Sequence, residues 1–356
     1  MEKLAHKRFL VKVNLFTRPL ASTVTVLNSV KNRTDVMGDV WTSLTDRRMV
    51  PRMVSHTRSI PVVYPAITAS PTDDIPVRSP DGAVVGNRAV IDATNATLAE
   101  FPDRQLLGED VIWSDDGAGG FLSSHRIFST ATHSGDGAFG PASGTKLRYR
   151  VIADCAARAN QIYDEWLVRD LGAIVRQLGT SPEQFAARQI EASGGPGNAA
   201  LPLMSQAEPP GDYTGRGNDH ELGQRYEQAL RVLATDPAVE VEEIYDRAAH
   251  LELPGGVQGH GWADAAAFWG ELRSCFPDAK LEIHHRIGRE DPGLGGRAAI
   301  RWSLSGTHAG GARFGAPSGA QVHVMGISHA EFGPWGLRRE YVLFDEVAVW
   351  RQILMA

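Results

Sequence analysis

The sequence has few of the features that mark membrane, disulfide-rich or nucleic-acid-binding proteins. Only two cysteines, Cys155 and Cys275, occur in 356 residues, so we expect two buried thiols, no zinc site and a reducing, cytoplasmic compartment. No apolar run reaches the roughly eighteen residues of a membrane span. Because 36 basic side chains face 42 acidic ones, with a net charge of -6, neither a nucleic acid nor a membrane is an expected partner.

The length and composition fit a globular protein with more than one domain. A chain of 356 residues with 42% hydrophobic and 22% charged residues can bury two ordinary cores. Residues 1–35 are basic at their start, but Lys12, Asn14 and Arg18 interrupt the apolar positions. We therefore interpret this segment as an irregular N-terminal tail and not as a signal peptide.

A repeat at a fixed offset of 175 residues organises the rest of the chain. Eighteen of the seventy positions from 101 to 170 are identical to those from 276 to 345, against roughly four expected by chance. We therefore predict an internal duplication. The matched pairs are Phe101-Pro102-Asp103 with Phe276-Pro277-Asp278, Arg126 with Arg301, Thr132-His133 with Thr307-His308, Phe139-Gly140 with Phe314-Gly315, Glu165 with Glu340, and Asp170 with Asp345.

The domain boundaries follow from the repeat and from a segment rich in proline and glycine. We predict a first module over residues 36–191, a linker over 192–217 and a second module over 218–356. A helix is expected from Pro182 to Glu191, capped by Ser181. The linker contains Gly194-Gly195-Pro196-Gly197 and Pro209-Pro210-Gly211 and has no apolar period.

The second copy has the clearer secondary-structure pattern. Apolar residues at helical spacing predict helices over 221–233 and 262–275, and Pro277 ends the second one. Alternating residues then predict strands over 279–287, 297–307, 320–332 and 337–344, joined by turns into an antiparallel meander. Helices followed by a meander favour an α+β fold, in which a curved sheet wraps the helices and leaves a pocket between them.

Several segments of the second copy carry a family likeness. In order and spacing they resemble the SnoaL-like, polyketide-cyclase-type family of the nuclear transport factor 2-like superfamily, and the first copy is a more degenerate version. The segments are Phe276-Pro277-Asp278-Ala279, Arg297 to Trp302, Gly306 to Gly310, Phe314 to Gly319, Gly326 to His329, Arg339-Glu340-Tyr341 and Phe344-Asp345.

The resemblance implies tandem cone-shaped modules, each a strongly curved antiparallel sheet wrapped on N-terminal helices, with a ligand pocket at the open end. The two copies could pack as an intramolecular pseudo-dimer, and a further homodimer is also open. Family members carry out ring closure, isomerisation, dehydration or plain ligand binding, so the activity has to be argued from the site.

The candidate acid–base residues are His329 and its counterpart Asp154. The resemblance places His329 where the cyclase branch carries its acid/base aspartate, and the repeat places Asp154 at the same position of the first copy. Imidazole exchanges protons near neutrality, and burial can raise the pKa of a carboxyl group toward that range. The alternative for both is a strand polar residue that only satisfies hydrogen bonds.

Three further pairs retained by the repeat complete the candidate sites. Arg301 and Arg126 could hold an enolate or carboxylate, or Arg301 could pair with Glu340. His308 and His133 could take part in proton transfer, although a hydrogen bond that fixes the hairpin is the favoured alternative. Glu340 and Glu165 could orient the arginine or the histidine, and Asp345 and Asp170 are expected as helix caps.

The aromatic residues Trp262, Trp269 and Trp302 could line the pocket, although core packing is the commoner role of such residues. No metal is expected, because the adjacent His284 and His285 would point to opposite faces of a strand. The glycine-rich segments lack the strand-to-helix context of a phosphate loop. We therefore expect no cofactor.

Two functions from different classes fit the sequence. The first is a cofactor-independent acid/base enzyme that acts on a small, largely apolar carbonyl compound by cyclisation, isomerisation or hydration and dehydration. The alternative is a non-catalytic small-molecule-binding protein, in which one or both pockets only sequester the ligand. A mixed version, with an active second module and a scaffolding first module, follows from the degeneracy of the first copy. A protein-interaction module would require a large exposed apolar patch, which the sequence does not indicate.

Overall fold

A computed structural model describes residues 74–159, 161–236 and 241–356. These residues all belong to one compact unit, Pro51–Ala356. The predicted tail over 1–35 and the start of the predicted first module, residues 36–73, lie outside the described residues. No helix in the described ranges is long and apolar enough to cross a membrane.

The described elements fall into two groups that share the order β-β-α-β-β-β-β-α. The first group consists of β1 (Pro76–Ser79), β2 (Gly82–Val85), α1 (Asn87–Glu100), β3 (Gln105–Asp115), β4 (Gly120–Thr132), β5 (Lys146–Arg158), β6 (Gln161–Arg169), α2 (Leu171–Gln177) and α3 (Pro182–Ala192). The second consists of α4 (Glu221–Thr235), α5 (Val241–Ile244), β7 (Tyr245–Leu253), β8 (Val257–His260), α6 (Gly261–Cys275), β9 (Lys280–Arg289), β10 (Arg297–Thr307), β11 (Gln321–Gly333), β12 (Gly336–Phe344) and α7 (Glu346–Leu354).

Each group forms one six-stranded sheet, which confirms the predicted α+β class. The strand orders are β2-β1-β6-β5-β4-β3 and β8-β7-β12-β11-β10-β9. The predicted meander is present as β9 to β12, but the sheet is mixed, because β7 pairs with β12 in parallel. The sequence analysis missed the β7–β8 hairpin, whose two strands turn at Gly255 and Gly256, both with positive φ.

The duplication predicted from the sequence is confirmed by the bounds of the elements. Strands β2, β5 and β6 cover 82–85, 146–158 and 161–169, and β8, β11 and β12 cover 257–260, 321–333 and 336–344, an offset of 175 in each case. The two sheets also share their strand order. The chain therefore contains two copies of one sheet module in tandem.

Two repeated motifs have structural roles. Asp103 Oδ1 accepts a hydrogen bond from the backbone N–H of Thr132 at 2.7 Å, and Asp278 does the same for Thr307 at 2.7 Å. These bonds tie the segment after a helix to the end of a strand, which explains why the repeat keeps both residues of each pair.

The helix caps predicted from the sequence are confirmed. Ser181 caps α3 in a capping box with Gln184. The Asp170 side chain accepts from the backbone N–H of Ala173 at the start of α2, and Asp345 accepts from that of Val347 at the start of α7. Each carboxylate satisfies a donor that the first helical turn leaves unpaired.

The two faces of each sheet have different partners. The inner face of the second sheet carries Ile300, Trp302 and Val324 and packs against helices α4 and α6. The outer faces of the two sheets share a second hydrophobic cluster, so the modules pack against each other through their sheets. This shared cluster includes Ile112, Leu122, Ile152 and Val168 of the first module, Ile287, Ala299, Met325, Ile327 and Leu343 of the second, and Leu203 and Tyr213 of the predicted linker.

Candidate functional site

We call the space between the inner face of each sheet and its helices the cone of that module. The predicted acid–base residues lie on the outer faces of the sheets and not inside the cones. His329 pairs across the strands with Ala299 and Tyr341, and its Nε2 lies 2.8 Å from Oγ of Ser124 in the other module. Asp154 pairs with Ser124 and Trp166. The expectation that these two side chains serve two cone pockets therefore needs correction, because both face the junction between the modules.

Burial at the junction disfavours the charged forms of both groups. Burial lowers the pKa of His329 well below its usual value. Burial raises the pKa of Asp154, against the opposing effect of Arg301. Both side chains are buried, with 0% and 2% of their surface exposed. In these positions they can satisfy polar atoms of the junction but cannot contact a ligand held within a cone.

The paired arginines bind across the junction in a symmetric arrangement. The Arg126 guanidinium lies 3.5 Å from the ring centroid of Tyr341, and that of Arg301 lies 3.4 Å from the ring centroid of Trp166. The 175-residue offset relates the two contacts. Arg301 was expected to pair with Glu340, but the two residues lie on opposite faces of the sheet, and the carboxylate beside Arg301 is that of Asp154, at 3.8 Å.

His308 and His133 each make a hydrogen bond that fixes a hairpin, which is the role that the sequence analysis favoured for them. Nδ1 of His308 lies 2.9 Å from Oγ of Ser318, and Nδ1 of His133 lies 3.0 Å from Oγ of Ser143. His308 and His133 are both buried. Each bond closes the loop between two long strands, so these side chains support the fold.

The interior of the second cone is filled by its own side chains. Trp269 and Trp302 are 3% and 1% exposed and belong to the main hydrophobic cluster. The indole of Trp302 donates to Oγ of Ser328 at 2.8 Å, and that of Trp262 donates to the backbone carbonyl of Tyr245 at 2.9 Å. All three tryptophans therefore have the core role that was the alternative to a pocket lining.

Glu340 lies inside the second cone and is held by two tyrosines. Tyr226 donates to its Oε1 at 2.9 Å and Tyr245 to its Oε2 at 2.6 Å, while Trp269 donates to the Tyr245 hydroxyl at 2.8 Å. Burial raises the pKa of Glu340 to about 7, against the effect of these hydrogen bonds. Both carboxylate oxygens of Glu340 are hydrogen-bonded, so Glu340 belongs to a buried hydrogen-bond network with Tyr226, Tyr245 and Trp269.

Replacing Tyr245 by phenylalanine tests this network. We expect a loss of about 2 to 4 kcal/mol in unfolding free energy, because Glu340 and the Trp269 indole would each lose a buried partner. Urea unfolding at pH 8 measures it. Tyr163→Phe is the control, since Tyr163 is only partly buried against the shared cluster. Equal losses in the two variants would contradict the network.

The first cone, in contrast, contains a cavity of about 580 Å³. Within the described residues, one difference lies on the helix that covers the sheet. Where α6 carries Phe268, Trp269 and Leu272 in the core, the repeat places Ala93, Thr94 and Thr97 on α1, and all three border the cavity. Replacing two aromatic rings and a leucine by short side chains leaves space of the size that small-molecule sites commonly have.

Glu165, the counterpart of Glu340, lines this cavity. Its side chain is buried, at 3% exposure, and its Oε2 makes no hydrogen bond with the described residues. Burial alone raises its pKa to about 7. A carboxylate in such surroundings is uncharged or charged depending on small changes in pH, which suits a group that takes up and releases a proton.

The polar residues of the cavity that the sequence analysis did not single out include Arg169 and Tyr149. Arg169 lies on the same strand as Glu165, borders the cavity and has an Nε without a hydrogen bond to the described residues. Tyr149 borders it from β5. Their counterparts in the second cone are Phe344 and Val324, so a comparison of the two copies for apolar-to-polar changes would have found both.

Asp81, Arg104 and Asp345 also border the cavity, and the rest of the lining is largely apolar. An apolar wall strengthens the interaction of a polar group with a bound molecule. Among the described residues, no cluster of three or more histidine, cysteine or acidic side chains could hold a metal ion. The apolar lining residues include Val77, Val90, Leu106, Ile127, Val151, Leu167 and Leu171.

Comparison with known proteins finds a family match in the second module. Residues 226–337 match the family model described as a SnoaL-like domain. No curated protein matches the sequence. The first copy has a six-stranded sheet with the same strand order as the matched module, so the chain has two similar sheet modules in tandem.

Solved structures resemble the chain at low identity. They include IdmH from Streptomyces antibioticus, which is 19% identical over 33% of this chain and 94% of its own, with a TM-score of 0.29. A SnoaL-like polyketide cyclase from Agrobacterium tumefaciens is 20% identical over 38% and 98%, with a TM-score of 0.30. TsrD from Streptomyces laurentii is 18% identical over 39% and 99%, with a TM-score of 0.32. These likenesses concern the fold alone.

Proposed function

Since the second module is a SnoaL-like domain and the first repeats its sheet, we propose that the protein acts on a small, largely apolar carbonyl compound bound in the first cone. The single observation that carries this proposal is Glu165, a buried carboxyl group that borders a cavity of about 580 Å³ and whose Oε2 makes no hydrogen bond with the described residues. We assign the catalytic role to Glu165 instead of His329 and Asp154, because of these three residues only Glu165 borders the cavity.

The proposed reaction begins with proton removal. The Glu165 carboxylate takes a proton from the carbon next to the carbonyl group, and the electron pair of the C–H bond moves to form an enolate. Arg169 supplies positive charge and Tyr149 a hydroxyl donor for the enolate oxygen. Return of the proton to another carbon completes an isomerisation. Alternatively, the enolate carbon attacks a second carbonyl group and closes a ring, and the alkoxide formed takes the proton back from Glu165. No cofactor is needed for either outcome.

The second module serves as the scaffold in this proposal. The mixed version in the sequence analysis had the opposite assignment, with an active second module and a scaffolding first module. Its cone is occupied by Trp269 and Trp302, and its carboxylate is engaged by two tyrosines. Its sheet covers the outer face of the first sheet. The non-catalytic alternative would use the same cavity of the first module, and a turnover assay separates the two.

Proton transfer can be measured with 5-nitrobenzisoxazole, a small planar probe that suits an apolar cavity. The base removes the hydrogen on the ring carbon, the C–H electron pair forms a nitrile, and the N–O bond breaks to release a coloured phenolate. We expect saturable turnover above the rate in buffer. A rate equal to that in buffer, with the probe shown to bind, would favour the non-catalytic binding protein.

The pH dependence of this turnover follows from Glu165. Burial raises its pKa from 4.5 to about 7. The carboxyl group is therefore protonated below about pH 7, and in that form it cannot act as a base. We therefore expect kcat/KM to be low at pH 5, to rise with a midpoint near pH 7 and to level off above pH 8. A midpoint near the ordinary value of a glutamate would contradict a buried base.

A further inference from the structure

A second cavity lies on the outer face of the second sheet, apart from the first cone. It has a volume of about 310 Å³. The linker covers it from one side with Leu203, Tyr213 and Thr214, and the sheet forms the opposite wall. Thr214 is exposed, so the cavity opens to solvent beside the linker.

The floor of this cavity carries a guanidinium group with few partners. Arg301 is 6% exposed, and its Nη1 makes no hydrogen bond with the described residues. The Asp154 carboxylate is 3.8 Å away, which is beyond hydrogen-bonding distance. Burial lowers the pKa of Arg301 to about 10, against the opposing charges of Asp154, Glu208 and Asp164.

Two neutral histidines border the same cavity. Burial lowers the pKa values of His284 and His323. Nε2 of His284 lies 2.7 Å from Oγ of Ser303, and Nδ1 of His323 lies 2.8 Å from Oγ of Ser305. Each imidazole has one nitrogen fixed by a serine, which leaves the other nitrogen for a ligand or water.

Among the described residues, the carboxylate on the lining is that of Glu208. Its Oε1 accepts from the indole of Trp166 at 2.8 Å and lies 3.2 Å from Nε of Arg78. Glu208 therefore acts on Arg301 through its charge, while its Oε1 is held by other partners. Apolar atoms of Met325 and Leu203 complete the wall, so the cavity offers a cation and polar groups beside an apolar surface.

We propose that this cavity binds a small organic carboxylate, with the carboxylate on Arg301 and the apolar part against Met325 and Leu203. The guanidinium is stacked flat on Trp166, 3.4 Å from the ring centroid, so its edge stays available, and a planar edge suits a carboxylate. One guanidinium within an apolar wall fits a carboxylate better than a phosphate, which takes more donors. This site is separate from Glu165 and does not depend on the function proposed for the first cone.

Benzoate is a suitable probe, and its neutral analogue benzamide is the control ligand. Calorimetric titration of the full chain at pH 7 should give saturable benzoate binding with Kd on the order of 1 mM, and affinity for benzamide at least about tenfold weaker. Arg301→Gln should weaken benzoate binding by about tenfold or more. Arg339→Gln removes the same charge from a half-exposed residue and should change it less than about twofold.

A second variant covers the case in which Arg301→Gln fails to fold. Met325→Phe narrows the cavity without touching the charge and should also weaken benzoate binding. Equal affinity for benzoate and benzamide would overturn the proposal. So would the absence of saturable binding, or affinity unchanged in both Arg301→Gln and Met325→Phe with both variants folded.

Discussion

Glu165→Gln is expected to lower turnover of 5-nitrobenzisoxazole by about 10²-fold to 10⁴-fold in kcat/KM, the range that a positioned general base contributes. The amide keeps the size and shape of the side chain but cannot accept a proton. Because the Oε2 of Glu165 has no hydrogen bond with the described residues, the substitution breaks no identified contact of the fold. The measurement is initial rate against probe concentration at pH 8.

The repeat supplies the matched control for this variant. Glu340→Gln changes the equivalent carboxyl group, which lies in a filled core and is bonded by Tyr226 and Tyr245. We expect it to retain turnover as long as the protein stays folded, which circular dichroism checks. If Glu340→Gln lost activity and Glu165→Gln kept it, the second cone would be the site and the assignment would fail.

Trp269→Ala is expected to lower the unfolding free energy by about 3 to 5 kcal/mol, as large-to-small changes at buried tryptophans do. Trp269 is 3% exposed inside the second cone, and its indole also donates to Tyr245. Removing the ring leaves a void that neighbouring residues refill only in part. Urea unfolding followed by circular dichroism measures the loss, since a fluorescence signal would change with the tryptophan itself.

Trp335→Ala serves as the control, because Trp335 is 78% exposed in the turn before β12. It should change the unfolding free energy by less than about 0.5 kcal/mol. A loss below about 1 kcal/mol for Trp269→Ala would mean that the second cone is already hollow. The contrast between a filled second cone and an open first cone would then disappear.

The sequence predicted much of the fold because its signals were local and occurred twice. Helix α6 and strands β10 to β12 were placed within a residue or two, since alternation, helical spacing and Pro277 each mark an element or its end. The fixed offset identified the duplication. The β7–β8 hairpin was missed because it lies between two helices and its strands are short or irregular.

The sequence could not assign the faces of the central strands. In β11 the residues from Val322 to Ala330 are all buried, because one face meets the helices of the second module and the other meets the sheet of the first module. Alternation of apolar and polar residues therefore gives no direction for His329. The resemblance to a catalytic position placed it in the pocket, and only the packing of the two sheets shows that it faces the junction.

The sequence contains the information that predicts the cavity of the first cone. Finding it requires comparing side-chain sizes at paired positions of the two copies, and not only looking for identical residues. The repeat was identified from positions that stayed the same, whereas the cavity results from positions that changed, such as Trp269 to Thr94 and Phe344 to Arg169. The repeat paired Glu165 with Glu340 as a candidate site residue, and the structure places Glu165 on the lining of the cavity. That its Oε2 makes no hydrogen bond with the described residues depends on its surroundings in three dimensions, which no local pattern reports.

The central claim, that the first cone holds the ligand, is tested most directly by turnover of Thr94→Trp. This variant restores in α1 the tryptophan that fills the second cone, and Thr94 borders the cavity. Asn95→Trp, at an exposed position of the same helix, is the matched control. We expect Thr94→Trp to lose at least about tenfold in kcat/KM while Asn95→Trp stays near the wild-type value. Wild-type turnover in a folded Thr94→Trp protein would contradict the account.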